Sequence, residues 1–412
     1  MGTTRQECVA LDQSDGLAAL RQRFMLPEGV IYLDGNSLGP MPRQVPARLR
    51  HVVENEWGEG LIRSWNDAGW IDAPRRAAAR IARIVGAGAD EVTVADSTSV
   101  NLFKLLVAAA RLRPGRNVLL SASGDFPTDR YIADSVAEIL GLRTICAGPE
   151  PDAIIAALDE HVAVLALCHV DYRTGRLNPM SRLTAAAHAA GALALWDVSH
   201  SAGVIDIGLD AADVDFAVGC GYKYLNGGPG APAFGYVARR HHQLVRQPLT
   251  GWLGHAQPFA FANDYVPAAG IDRLQCGTPP IMSLLALEAA LEAFDGVDLT
   301  ALRRKSQALG DLFIRLIDDE LGPCGFGLAS PRDSDVRGSQ VSLAHPRAYA
   351  VMQALIARGI IGDFRAPDIL RFGIAPMYVR FADMFDATAA IAGIMAAGEW
   401  NQSRFLSPKA VT

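Results

Sequence analysis

The sequence predicts an α/β fold: a doubly wound, mostly parallel sheet accompanied by a smaller α+β domain. Three observations lead there. Between residues 90 and 240, short apolar runs alternate with segments of helical length. Those runs are continuously apolar instead of alternating with polar residues, the pattern of strands covered on both faces. Beyond residue 320 the texture changes to shorter runs mixed with helices, as a second and smaller layered unit would give.

Taken in order, EVTVAD (91–96) leads into STSVNLFKLLVAAARL, and NVLLSAS (117–123) leads into PTDRYIADSVAEIL. VAVLALCHV (162–170) precedes MSRLTAAAHAAG, and ALALWD (192–197) precedes the stretch reaching the apolar run 214–218. Strand-length runs followed by helical patterns are the mark of βα units and a parallel sheet. IMSLLALEAALEAF and LTALRRKSQALGDLFIRLIDDE then read as long helices. After them come SQVSLAHP, the helix RAYAVMQALIARG, IIGDFRA, ILRFGIAP and a final helix around DATAAIAGIMAAG. The N-terminal stretch holds a short helix, YLDGNSLG and another helix start, too little for a core of its own. The expected division is 1–55 as an N-terminal segment packing on the small domain, 56–295 as the large domain, and 296–412 as the small α+β domain.

Composition narrows the function classes. The chain has 412 residues, 50% hydrophobic and 20% charged, enough for two domains with real cores. A net charge of −6 without any Lys/Arg cluster argues against a nucleic-acid partner. The cysteines (Cys8, Cys146, Cys168, Cys220, Cys276, Cys324) show no CxxC spacing. Neither a metal centre nor a disulfide framework is therefore expected, and a reducing cytoplasm fits. The first residues carry charges where a signal peptide needs an apolar core, and no apolar stretch approaches the ~20 residues of a membrane span. The expectation is a soluble cytoplasmic protein with no membrane partner.

In open α/β sheets, ligands bind outside the carboxyl ends of the strands, and several chemically loaded residues fall there. The run 214–218 ends in GCGYKYLNGGPG (219–230), where Lys223 lies between two tyrosines ahead of a glycine-rich break. A lysine behind a buried strand suits an amine that loses its proton and forms a Schiff base, or it is a surface lysine. ALALWD ends in Asp197, with His200 close behind. A buried aspartate needs a donor or cation: a protonated pyridine nitrogen, His200 or a backbone amide would each serve. The pairing of such an aspartate with such a lysine is the one pyridoxal phosphate requires. Thr98 and Ser99 follow EVTVAD at a helix start, either an anion site or ordinary capping. Phe126, Pro127, Thr128 and Asp129 follow NVLLSAS, and Cys168 and His169 follow VAVLAL. GWLGH (251–255) and CGT (276–278) lie in glycine-rich loops, and ILRFGIAPMY places Arg371 within an apolar strand. That arginine needs an anion, either a substrate carboxylate or a protein acid such as Asp363 or Asp368.

Together, YLDGNSLG, LIRSWN, STSVNLFK, FPTD, WDVSHSAG, GYKYLNGGPG, GWLGH, CGTPPI and RFGIAPMY, in this order over residues 32–378, closely resemble the kynureninases. These are pyridoxal-phosphate hydrolases of the fold type I aminotransferase-like superfamily. The resemblance implies pyridoxal 5′-phosphate as cofactor, Lys223 as its Schiff-base lysine and Asp197 as the partner of its ring nitrogen. It implies Phe126 stacked on the ring, with Pro127, Thr128 and Asp129 in the same turn. Thr98, Ser99 and Tyr222 would hold the phosphate, and His200 would lie near the ring. Trp252 and Thr278 would come from the partner subunit of a homodimer whose active site lies at the interface. Asn36, Ser37, Trp65 and Arg371 would face the substrate. Cys168 stands where the family pattern leads us to expect a hydroxyl, which puts its cofactor contact in doubt.

The activity implied is hydrolysis of L-kynurenine to anthranilate and L-alanine in tryptophan degradation. Lys223 would act as base at the α-carbon, and Tyr222, or the cofactor phosphate through it, as proton donor and acceptor at the carbonyl. Gly277 and Thr278 offer little polar grip for an extra ring hydroxyl, which favours kynurenine over 3-hydroxykynurenine. The alternative is a cysteine desulfurase or selenocysteine lyase of the same superfamily. Such an enzyme needs a mobile loop cysteine, and Cys324 in LGPCGFG has no basic neighbour in sequence to activate it.

Overall fold

The computed structural model describes residues 2–407. Its strands in chain order are β1 (Ile31–Tyr32), β2 (Val92–Val94), β3 (Val118–Ala122), β4 (Arg143–Ala147), β5 (Val162–Cys168), β6 (Leu193–Asp197) and β7 (Phe216–Gly219). They continue as β8 (Phe234–Val237), β9 (Gly327–Leu328), β10 (Gln340–Ala344), β11 (Ile360–Ile361), β12 (Asp363–Arg365) and β13 (Ile369–Gly373). Contacts divide the chain into two units. One unites the residues up to Arg43, Tyr172–Leu177 and everything from Asp295 on; the other holds Gln44–Asp171 and Asn178–Phe294.

The unit holding Gln44–Asp171 is built on a seven-stranded sheet in the order β2-β8-β7-β6-β5-β3-β4. Strands β4, β3, β5, β6 and β7 are mutually parallel, and β8 runs antiparallel to both β7 and β2. The central strands β3, β5, β6 and β7 are buried almost throughout, which is why each reads as an unbroken apolar run. The helices Thr98–Arg111 and Pro127–Leu140 cover them, with Leu102, Leu105 and Val136 packed on Leu119, Val164, Leu193 and Phe216. The chain goes from β3 outward to β4 and then returns to β5 on the other side of β3. That reversal is a topological switch point, and it opens a crevice at the carboxyl ends of β3 and β5.

Two strands of this sheet carried no usable sequence signal. β4 is an edge strand with mostly exposed side chains, so its run RTICA is not apolar. β8 lies directly behind the glycine-proline break that follows Lys223, and its glycine interrupts the strand pattern.

In the other unit, β1 pairs in parallel with β11, and β12-β13-β10-β9 form an antiparallel sheet. Phe313 of the helix Leu299–Leu321 meets Phe372 of β13 edge-on at 5.2 Å. The helix Arg5–Ser14 packs on Phe381–Ala396, and the buried Lys305 pairs with Asp15 at 2.7 Å. Tyr172–Leu177 joins this unit by main-chain bonding: Leu177 N–H donates to the Val336 carbonyl at 3.0 Å.

Candidate functional site

Adjacent strand ends build an acidic pit in the unit that carries Lys223. The parallel register of β5 on β6 puts Cys168 opposite Asp197. The turn after β3 then folds over them. Asp125 accepts from Cys168 N–H and Ala122 N–H, both at 2.7 Å, which fixes the turn to the sheet. Phe126 N–H donates to Cys168 Sγ at 3.3 Å, and the thiol donates to Asp129 Oδ2 at 3.2 Å. Asp197 Oδ1 accepts from Ser199 N–H at 2.6 Å. The sulfur of Cys168 and one oxygen each of Asp129 and Asp197 lie within 4.8 Å of one another. Among the described residues, no ion pair joins Asp129 or Asp197 to a basic side chain.

The electrostatics follow from that crowding. Burial, and next the charge of Asp197, push the Asp129 carboxyl well above the usual range. Burial and the surrounding carboxyls likewise raise the Cys168 thiol. Burial lifts Asp125 to about 7 even though two backbone N–H groups oppose it. Neighbouring buried carboxyls cannot all carry charge cheaply. The pit therefore retains protons or receives a cation.

Lys223 stands at the rim, in the turn after β7. Asn226 N–H bonds the Lys223 carbonyl at 2.8 Å and Gly227 N–H bonds the Gly221 carbonyl at 2.9 Å, which closes the turn. Asn226 adopts a positive φ of 59°, and a Cβ on Gly221 would come within 2.4 Å of the Pro232 carbonyl. The glycines of GCGYKYLNGGPG are therefore what lets the loop fold this tightly. Lys223 Nζ lies 3.2 Å from His200 Nε2 and 5.9 Å from the centre of the Phe126 ring. Tyr222, half-buried beside it, has its phenol raised by burial, then by Cys220 and Asp197. It therefore stands protonated at neutral pH.

Thr98 opens the helix Thr98–Arg111 behind the cap Ser97, whose hydroxyl accepts from Val100 N–H. Thr98 Oγ1 is sealed from solvent and has no hydrogen-bond partner. An orphaned hydroxyl beside the free N–H groups of a helix start is a donor set for an anion. His169 has a structural setting instead: its Nδ1 lies 2.8 Å from Ser201 Oγ and its ring meets Trp196 edge-on at 5.9 Å.

The GWLGH and CGT segments form one surface. Leu253 N–H donates to the Cys276 carbonyl at 3.2 Å, and a Cβ on Gly251 would come within 2.3 Å of that same oxygen. Trp252 meets Phe259 edge-on at 5.6 Å, Phe259 and Phe261 are exposed, and Thr278 is exposed too. Trp65, in the short helix Ser64–Asp67, packs edge-on against Trp70 at 6.0 Å.

Asn36, Ser37 and Arg371 belong to the other unit, where they form a second cluster. Register sets Asp363 of β12 directly across from Arg371 of β13. The Arg371 fork closes on Asp363: Nε donates to Oδ1 at 2.8 Å and Nη2 donates to Oδ2. Nη2 also donates to Ser37 Oγ at 2.9 Å, and Nη1 donates to the Tyr172 carbonyl at 2.8 Å. The bidentate edge expected to meet a substrate carboxylate is thus held by a protein acid, because both side chains are buried and each needs its counter-charge. One N–H on Nη1 is left over. Asp368, the other candidate partner, lies 3.7 Å from Arg173.

Arg365, which sequence reasoning did not single out, places its Nη2 2.8 Å from Asp363. Asp34 went unnoticed as well, since Asp-Gly-Asn reads simply as a turn. Asn36 is fully buried, and its Oδ1 has no partner.

Residues 302–391 match the family model described as the kynureninase C-terminal domain. A kynureninase of Pseudomonas fluorescens is 48% identical over the whole of both chains. One of Burkholderia mallei (strain SAVP1) is 49% identical over 99% of this chain and 100% of its own. Among solved structures, a C-DES mutant with glycine covalently linked to its PLP cofactor superposes with a TM-score of 0.79. It is 15% identical over 90% of this chain and 98% of its own. A cysteine desulfurase from Escherichia coli superposes at 0.76, with 19% identity over 93% of this chain and 98% of its own. At such identities the likeness is one of fold.

Proposed function

The chain belongs to the kynureninase family, and on that premise we propose that it hydrolyses L-kynurenine to anthranilate and L-alanine with pyridoxal 5′-phosphate held by Lys223. The observation that carries this reading is the 48% identity to a kynureninase over the full length of both chains. The desulfurase alternative has only a remote likeness behind it, 19% identity in the Escherichia coli enzyme.

The residues fit the cofactor. The orphaned Thr98 hydroxyl and the start of its helix suit a phosphate, with Ser99 and Tyr222 as further donors. Phe126, exposed above the pit, suits an aromatic ring, and Asp197 suits a protonated ring nitrogen. Pro127, Thr128 and Asp129 complete the turn, and His200 lies within reach of Lys223 Nζ. When bound, the group supplies an aldehyde for the substrate amine and a ring that withdraws electrons from the α-carbon. Lys223, with its amine free, would take and return the α-proton. Asp197 would keep the proton on the ring nitrogen. Tyr222 would give a proton to the γ-carbonyl oxygen as water adds to the γ-carbon and take one back from the hydrate as the Cβ–Cγ bond breaks, while the Lys223 amine would take the proton the water sheds and deliver it to the β-carbon, which leaves as the methyl of alanine.

Arg371, Asn36 and Ser37 receive the α-carboxylate, and Trp65 offers an aromatic wall to the anilide ring. Support for the carboxylate role is the positive charge that Arg371 and Arg365 carry beyond what Asp363 balances. Trp252 and Thr278 act on the partner subunit of a homodimer, a reading supported by the exposure of Thr278 and of the apolar Phe259 and Phe261, the first of which meets the half-buried Trp252. A cytoplasmic setting is supported by the six free cysteines. The test is to incubate the purified holoenzyme with L-kynurenine and follow anthranilate fluorescence. Release of alanine from cysteine with no anthranilate from kynurenine would overturn the reading in favour of the desulfurase.

A further inference from the structure

Asp34 stands where the carboxylate cluster can be tuned. It follows β1, forms a bridge with Gly373 at the end of β13, and its carbonyl accepts from Ser37 N–H at 2.9 Å. Its side-chain Oδ1 is sealed from solvent and has no hydrogen-bond partner. The groups around it are Asp363 and Arg365 on β12, Arg371 on β13, Tyr32 on the preceding β1, and Tyr172, which also acts on Arg365. Asp363 already answers two arginines, Arg371 through a fork and Arg365 at 2.8 Å, and accepts from Ser37 Oγ at 2.5 Å as well.

We propose that Asp34 is a positioning residue that sets the net charge of the Asp363–Arg365–Arg371 cluster, and through it the grip on the carboxylate of an amino-acid substrate. While Asp34 is neutral, the cluster has one positive charge in excess, which an incoming carboxylate neutralises. Once Asp34 ionises, the cluster is balanced without a ligand. Its second carboxylate then competes with the substrate for the arginines.

The direction of its titration agrees. Burial, and next the charge of Asp363, raise Asp34 to about 8, with Ser37 and Arg371 opposing. Arg371, Arg365 and Ser37 overcome burial to hold Asp363 below the usual range. Asp363 thus takes the charge and Asp34 keeps the proton. An affinity that fades as pH rises through this range follows.

This inference rests on Arg371 receiving the substrate carboxylate, and the experiment separates the two. KM and kcat for L-kynurenine are measured on the holoenzyme from about pH 6.5 to 9.5 for the wild type, Asp34→Asn and Arg371→Gln, a range that brackets this titration. Dividing the wild-type profile by that of Asp34→Asn cancels the ionisations of substrate and cofactor. The expected quotient of kcat/KM falls by about tenfold across the range, through KM and not kcat. A flat quotient, with Arg371→Gln still raising KM, overturns the role of Asp34 and leaves that of Arg371. An unchanged KM in Arg371→Gln overturns the Arg371 reading and this one with it.

A second readout needs no substrate. A carboxyl with a raised folded-state pKa stabilises below its unfolded value and loses that contribution as pH rises through the folded one. Between about pH 4 and 8 the melting temperature should therefore move in favour of Asp34→Asn relative to wild type. Parallel melting profiles would overturn the proposal. Asp34→Ser serves in both measurements if the asparagine variant does not fold.

Discussion

Asp197 and Asp215 lie at opposite ends of adjacent parallel strands: Asp197 closes β6 and Asp215 immediately precedes β7. Both are buried, yet their surroundings differ in kind. Asp215 is saturated. It meets His188 Nε2 and His241 Nε2 at 2.7 Å each, takes Arg240 Nη2 at 2.7 Å, and accepts from Ala194 N–H at 2.8 Å. Burial pushes its pKa up, but His241, the Ala194 amide, His188 and Arg240 outweigh that and hold it below the usual range. Asp197 shares its pit with Asp129 and Cys168 and has no basic partner among the described residues. A buried acid whose needs are met inside the protein is structure; one left short of a cation is waiting for a ligand. The same sheet thus carries an end whose acid is fully partnered and an end whose acid is left short of a cation.

Five substitutions test that contrast. Lys223→Ala should have the largest effect, abolishing anthranilate production while leaving weak cofactor uptake. Borohydride treatment of the wild type, followed by peptide mass spectrometry, should find the cofactor fixed to Lys223. A label on another lysine would move the reactive end elsewhere. Asp197→Asn should cost turnover at least about two orders of magnitude, the scale of one preorganised electrostatic contact. Its melting temperature should barely move; a collapse in stability would make the two ends alike.

Asp215→Asn should do the reverse. It should lower stability by about 3–5 kcal/mol, as breaking a buried ion pair does, with kcat per folded molecule close to normal. The pH dependence has a definite sign. A depressed carboxyl contributes stability above its unfolded pKa of about 4 and loses it as pH falls through the folded value. Acid melting scans of the wild type should show that loss, and Asp215→Asn should show it weakened. The smallest change is expected for Cys168→Ser, which keeps a donor to Asp129 and should alter kcat/KM by no more than about tenfold. Cys168→Ala removes the donor, so a larger loss in Ala than in Ser would show that the bond to Asp129, and not the sulfur itself, matters to the pit.

The residues gathered around the acidic pit could be singled out in the sequence because their signals are local. Asp197 and Cys168 close apolar runs, Phe126 and Thr98 start helices, and Lys223 lies in a turn that only glycines permit. Strands β4 and β8 were not legible, one being an exposed edge and the other interrupted by glycine. The partner of Arg371 was left open among a substrate, Asp363 and Asp368, because strand register, a non-local property, decides which acid it meets. Asp34 and Arg365 carried no signal at all. Their meaning arises only when segments more than three hundred residues apart are brought together, as the contact of Arg365 with Ser37 at 3.3 Å illustrates.

Asp363 faces Arg371 across antiparallel β12 and β13, with Phe364 opposite Leu370. This arrangement penalises any other register of the two strands. Slipping the hairpin by one residue would set Leu370 or Phe372 against Asp363 and take the enclosed Arg371 out of its fork. By the cost of a broken buried pair, that error is worth about 3–5 kcal/mol, comparable to the entire stability of a small domain. Apolar contacts alone would tolerate the slip far better, since one hydrophobic neighbour resembles another. The ion pair therefore favours the one alignment in which Asp363 and Arg371 face each other.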